Sequence, residues 1–253
     1  MDFIKVSKEE RISHIFLDRG KSNAINGQML EELGQAIAEA SEDTSTEGII
    51  LHGKEGFFSA GLDLVALYEC NEAESRQFWK SFMAVVRSLV GFSKPAIAAI
   101  SGHSPAGGCV LALGCDARIM AEGDHVIGLN EVGVGIIVPE SIFQLYAFWL
   151  GHARAYRYLL EGKLLNPQEA LEVGLVDEVT SPRMLRTAAQ RQLQRFMQYE
   201  RNTWRESKLN MRKHLLAQFD ADQEEAIKAV LRQWWAPTTR SIVRSIIDNL
   251  KAR

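Results

Sequence analysis

Cysteine is scarce in this 253-residue chain: Cys70, Cys109 and Cys115 are all it has. An odd count without ligand-like spacing supports neither a disulfide framework nor a zinc site, so reduced and mostly buried thiols are expected, with no metal. No apolar run reaches the roughly 18 residues that a membrane span requires. The start, MDFIKVSKEERISH, is too charged for the apolar stretch of a secretory signal. A cytoplasmic protein without membrane association is the expectation. Gly/Ser linkers and low-complexity tracts are missing as well, which argues against tethered modules. Basic residues are not interleaved with aromatics on a recognisable module and the net charge is −3, so nucleic acid is not an expected partner.

What is present is an ordinary globular composition, 46% hydrophobic and 24% charged, able to bury a sizeable core. The length points to one domain with an appendage rather than two equal domains. Charge is uneven along it: residues 1–181 hold 14 Lys+Arg against 25 Asp+Glu, and residues 182–253 hold 15 against 7. The basic excess of the second part is expected on exposed or intersubunit helix faces.

Short β-branched runs at 2–6, 11–17, 48–53, 95–100, 116–121 and 175–179 read as strands, with a polar turn at 7–10 between the first two. Met29, Leu33, Ile37 and Ala40 recur at helical spacing, as do Phe78, Phe82, Val85 and Leu89. This alternation predicts an α/β core over 1–181. Asn166 followed by Pro167 marks a helix start, and Gly174 its end. Beyond residue 182 only helices are expected, at 183–199, 203–218, 221–235 and 238–251. Their apolar stripes, including Trp204, Leu215, Phe219, Trp234, Ile242 and Ile246, read as packing or subunit contact.

Three segments can carry chemistry: 57–64 (FFSAGLDL), 100–116 (ISGHSPAGGCVLALGCD) and 127–139 (IGLNEVGVGIIVP). In the second, Gly107 and Gly108 open a short apolar helix. Its first N–H groups are unpaired and sit at the positive end of the dipole, which suits an oxyanion. The same stretch approximates a nucleophile elbow around Ser104, with Ala106 in the fifth position and His214 as the late histidine, the rival serine-hydrolase reading. In the third, Glu131 lies among small and apolar residues, so loss of solvation should raise its pKa toward the range of a general base.

Together the segments resemble the enoyl-CoA hydratase/isomerase (crotonase) superfamily over about residues 3–180, supported by LDRGKSNAIN at 17–26 and NPQEALEVGLVDEV at 166–179. The resemblance implies a spiral of strand–strand–helix turns, then a C-terminal helical region, 182–253, that builds trimers or hexamers. It places a thioester oxyanion hole at the backbone N–H groups of Leu62 and Gly107. Coenzyme A, as part of the substrate and not a separate cofactor, falls near Arg19, Lys21, Ser22, Asn23 and Ala24 and near Ala60, Gly61, Asp63 and Leu64. The acyl tail falls among Leu67, Phe78, Phe82 and Ile136. Of the family's two acidic positions, one holds Val110 and the other Glu131. One carboxylate suits a double-bond shift better than hydration, and IGLNE followed by GIIVP resembles the Δ3,Δ2-enoyl-CoA isomerase (dodecenoyl-CoA isomerase) branch. An isomerase of fatty-acid β-oxidation is the implied function. The alternatives are a hydratase or another one-carboxylate reaction, and a non-catalytic binder of CoA thioesters.

Overall fold

The computed structural model describes residues 1–251. Strands β1 (Ile4–Glu9) and β2 (Ile12–Leu17) form an antiparallel hairpin in which Glu9 faces Ile12. The expected turn at 7–10 is therefore shorter: Ser7 pairs with His14, and only Glu10, at φ +52°, and Arg11 make the turn. Helix α1 (Gly27–Glu42) starts where the Asn26 side chain accepts the Met29 N–H.

The chain then repeats one path three times. A strand enters a large sheet, a shorter strand enters a small sheet, and helices return. The first round is β3 (Gly48–His52), β4 (Gly56–Phe57), α2 (Leu64–Glu69) and α3 (Glu72–Val90). The second is β5 (Ala96–Ile100), β6 (Gly102–Pro105) and α4 (Gly107–Gly114). The third is β7 (Ala117–Ala121), β8 (Ile127–Gly128), a 3-10 turn over Glu131–Val134, and helices α5 (Glu140–Leu150), α6 (His152–Glu161) and α7 (Pro167–Glu172). β9 (Glu178–Thr180) completes a six-stranded sheet of order β1-β2-β3-β5-β7-β9, parallel from β2 onward, while β4, β6 and β8 make the small parallel sheet. This is the strand–strand–helix spiral that the resemblance implies. The three short strands were not visible in the sequence, and β9 begins three residues later than expected because 175–177 is a bend.

Residues alternate across the large sheet. Ile49, Leu51, Ala96, Ala98 and Ile100 face the main core with α1, α3 and α4, whereas Ile50, Ile97, Ala99 and Ile119 face a second core. That second core is closed by α8 (Leu185–Met197) through Leu185, Ala188, Ala189 and Leu193. The expected helix at 203–218 is two helices, α9 (Arg201–Met211) and α10 (Lys213–Asp220), followed by α11 (Glu224–Trp234) and α12 (Pro237–Lys251). Helices α10 and α11 pack on α3, and α12 packs on α2 and the Glu131–Val134 turn. Leu215, Phe219, Ile227, Trp234, Val243 and Ile247 belong to the main core, so the helical tail folds back onto its own chain.

Two of its cations are not on an exposed face, contrary to expectation. Lys208 Nζ lies 2.8 Å from Asp116 and Arg212 Nη2 3.1 Å from it, all three being buried or nearly so. Arg212 also donates to the carbonyls of Val90, Gly114 and Cys115, each at 3.0 Å. Those carbonyls come from the ends of α3 and α4, so the buried charges bolt the tail to the core. No helix among the described residues is long and apolar enough to cross a membrane.

Candidate active site

The 17–26 loop is zipped to the segment after β4 by backbone hydrogen bonds. Ala60 N–H donates to Ser22 O at 2.9 Å, Ile25 N–H to Gly61 O at 2.8 Å, and Asp63 N–H to Ile25 O at 2.9 Å. In this bridge the bonds are made by the neighbours of Leu62, so the N–H of Leu62 itself points away from the loop. Gly107 is the first residue of α4, and its N–H is one of those that a helix start leaves without an intrahelical acceptor. The two backbones are in contact: a Cβ on Gly61, which sits at φ +86°, would lie 3.3 Å from the Gly107 nitrogen. Ala106, between β6 and α4, takes φ +50°, a conformation that a residue with a Cβ adopts at a cost, and its N–H is anchored on Gly128 O at 2.8 Å. Strain and anchor together fix the direction in which α4 begins.

Glu131 opens the 3-10 turn after β8 and is only 7% exposed. Its Oε2 has no hydrogen-bond partner. Burial pushes its carboxyl up from about 4.5 to about 7, opposed by the backbone N–H groups of Glu131 and Asn130. Burial also raises the Cys109 thiol and the Tyr146 hydroxyl, and the Glu131 charge adds to both effects. These neighbours stay neutral near pH 7, which leaves Glu131 as the group of the three able to exchange a proton there.

One small cavity brings the pieces together. It is lined by Leu62, Gly107 and Glu131 with Trp79, Phe82, Ile137, Val138, Pro139 and Ile142, and its volume of about 10 Å³ is roughly the space in which one water can sit. Glu131 is the sole carboxylate in that lining. Val110 lies on α4, fully buried in the core.

Not every residue singled out in the sequence meets the cavity. Phe82 lines it, and Phe78 stacks behind Phe82 with ring centroids 6.4 Å apart. Phe78 and Leu67 line a separate groove with Asn26, Ala66 and Ser81. Ile136 is buried, its N–H donating to Glu131 O at 2.9 Å, so it buttresses the turn. Trp79 and Ile142 were missed, since their positions on apolar helix faces do not differ from those of core residues, and Ile137, Val138 and Pro139 were read only as part of the 127–139 segment.

The CoA candidates divide in the same way. Asn23, fully buried at φ +51°, accepts from Arg19 N–H at 2.8 Å and donates to Phe58 O at 3.1 Å, which ties the loop together. Arg19 pairs with Asp63 at 2.7 Å and donates to Ala24 O at 2.6 Å, while its Nε is buried without a partner. Asp63 also caps α2, accepting the Ala66 N–H at 3.0 Å. Lys21 is exposed, and Ser22, Ala24, Ala60 and Leu64 are half-buried at the same edge, beside buried Gly61. The serine-hydrolase arrangement is not formed: Ser104 Oγ is buried without a partner, and His214 is exposed on α10. Among the described residues no cluster of His, Cys, Asp and Glu could hold a metal ion.

A family profile described as Enoyl-CoA hydratase/isomerase matches residues 7–240. The mitochondrial enoyl-CoA delta isomerase 1 of Mus musculus is 36% identical over 206 residues, 79% of this chain and 71% of that protein. The crotonyl-CoA hydratase of Syntrophomonas wolfei is 33% identical over 184 residues, 72% of this chain and 70% of that protein. The crystal structure of human mitochondrial delta3-delta2-enoyl-CoA isomerase superposes with a TM-score of 0.95 at 28% identity, covering 99% of this chain and 98% of that one. With a spiral fold shared over nearly its whole length and a profile match over 7–240, the chain belongs to the enoyl-CoA hydratase/isomerase (crotonase) family.

Proposed function

We propose that the protein is a Δ3,Δ2-enoyl-CoA isomerase, and the observation that carries this reading is a single carboxylate, Glu131, in a cavity shared with Leu62 and Gly107. The thioester oxygen accepts from the Leu62 and Gly107 N–H groups. Glu131 takes the proton from C2 of the 3-enoyl ester, and the C3–C4 double bond joins the resulting dienolate. The protonated Glu131 then returns the proton to C4, the C2–C3 double bond forms, and no atom is gained or lost overall.

Hydration asks for more. Water must be oriented and deprotonated while the α-carbon is protonated, work that family hydratases divide between two carboxylates, and Val110 supplies none. Coenzyme A enters as part of the substrate along the edge formed by Lys21, Ser22, Ala24, Ala60 and Leu64, and its acyl tail lies against Phe82. A homotrimer or a pair of trimers, with a role in fatty-acid β-oxidation, completes the reading. The location proposed from the sequence is cytoplasmic, although the Mus musculus relative is mitochondrial by name.

The test is to follow 3-enoyl-CoA and 2-enoyl-CoA esters of several lengths separately, measuring isomer and hydration product. Conversion of the 3-enoyl ester with only slow hydration of the 2-enoyl ester is expected. Hydration as fast as isomerisation would defeat the one-carboxylate reading.

A further inference from the structure

Leu62 stands just before α2, and Glu131 opens its own 3-10 turn. Neither element can hold itself in place. α2 has six residues, too few for a stable helix in water, and the Glu131 turn ends after one revolution at Gly135, in the left-handed region at φ +77°. α12 lies against both.

Two consecutive residues in its first turns make the contacts. Thr239, 1% exposed, donates its hydroxyl to Gly135 O at 3.2 Å and accepts from Gln233 Nε2 at 2.8 Å. A Cβ on Gly135 would lie 3.0 Å from Thr239 Oγ1, so this joint has no slack. Arg240 Nη2 donates at 2.9 Å to the carbonyl of Tyr68, in the last turn of α2, where carbonyls lack intrahelical partners. The guanidinium carbon lies 3.4 Å from the Tyr68 ring centroid, 4.7 Å from that of Trp235 and 5.8 Å from that of Trp234. Its Nη1 is buried without a partner, a cost that a structural residue of similar size, such as methionine, avoids.

We propose that Thr239 and Arg240 are positioning residues, one step of α12 that clamps the Glu131 turn to α2 and so sets the separation between the Glu131 carboxylate and the Leu62 N–H. The inference rests on the isomerase reading of the site. Because the two residues are adjacent on one helix, any shift of α12 moves both contacts together. Loss of either contact leaves binding surfaces in place but lets base and oxyanion donor drift apart, and drift of about 1 Å costs on the order of 100-fold in rate.

The experiment measures kcat, KM and melting temperature on the full chain for wild type, Arg240→Ala, Arg240→Lys, Thr239→Val and, as a control at the far end of α12, Asp248→Ala. Expected are a fall of roughly 10- to 100-fold in kcat for Arg240→Ala and Thr239→Val with KM within about threefold, partial recovery in Arg240→Lys, and wild-type kcat in Asp248→Ala. Faster amide hydrogen exchange in both 64–69 and 131–135 should accompany the loss. If Arg240→Ala does not fold, Thr239→Val and Arg240→Lys decide by the same criteria. A kcat within twofold of wild type in those variants, or a loss confined to KM, overturns the clamp. Absence of isomerisation by the wild type defeats the function itself, and the exchange measurement then decides on the clamp alone.

Discussion

Glu131 combines burial, an unpaired Oε2 and a carboxyl pushed up to about 7, and each has a measurable consequence. Proton abstraction needs the carboxylate, so kcat/KM should rise with pH and level off above about 7. Glu131→Gln should lower kcat by two or more orders of magnitude; near-wild-type turnover would remove Glu131 from the mechanism. Stability moves the other way. The folded pKa lies above the unfolded value, so the proton's stabilising contribution is whole below about 4.5 and is lost as pH rises through about 7. Glu131→Gln should thus be more stable than wild type at pH 8, by up to ~3 kcal/mol, with the difference vanishing toward pH 4 in denaturant titrations. Much of this was legible in the sequence, because the apolar run around Glu131 already forecasts desolvation. The partners of Arg19 and Asn23 were not: Asp63 and Phe58 are some 40 positions away, and only the zipped loop brings them together.

At the level of elements, long periodic segments were readable and short ones were not. α1 and α3 declared themselves by four apolar residues each, and the helix at 167 by its Asn–Pro start, which forms a capping box with Glu169. β4, β6 and β8, of two to four residues, carry no period and owe their form to pairing with one another. The burial of Lys208 and Arg212 was also hidden, since it depends on Asp116 and on carbonyls far along the chain, that of Lys94 for Lys208 and those at the ends of α3 and α4 for Arg212. Removing their counter-charge should expose that dependence: Asp116→Ala leaves two buried cations facing each other and should cost roughly 3–5 kcal/mol in denaturant unfolding. A loss under 1 kcal/mol would mean that the carbonyl cage alone satisfies them.

For the whole molecule, the last strand, β9, ends at Thr180, and the helices that follow supply residues to both cores. α8 closes the second core, and α10 to α12 close the first, so the tail's apolar faces are largely covered within one chain. The apolar surface left over includes Tyr156 and Leu160, 59% and 55% exposed and one helical turn apart on α6. A trimer or hexamer is expected by light scattering, and Tyr156→Glu with Leu160→Glu should dissociate it; a monodisperse wild-type monomer with full activity would contradict the assembly.

The central claim, one shielded carboxylate carrying the proton from C2 to C4, is most directly tested with a 3-enoyl-CoA ester deuterated at C2 and turned over once in ordinary water. In a cavity with room for about one water, Glu131 should deliver part of the label to C4 of the 2-enoyl product before it exchanges. Complete loss of the label to solvent would contradict the account, because the proton would then reach C4 from water or from a second acid.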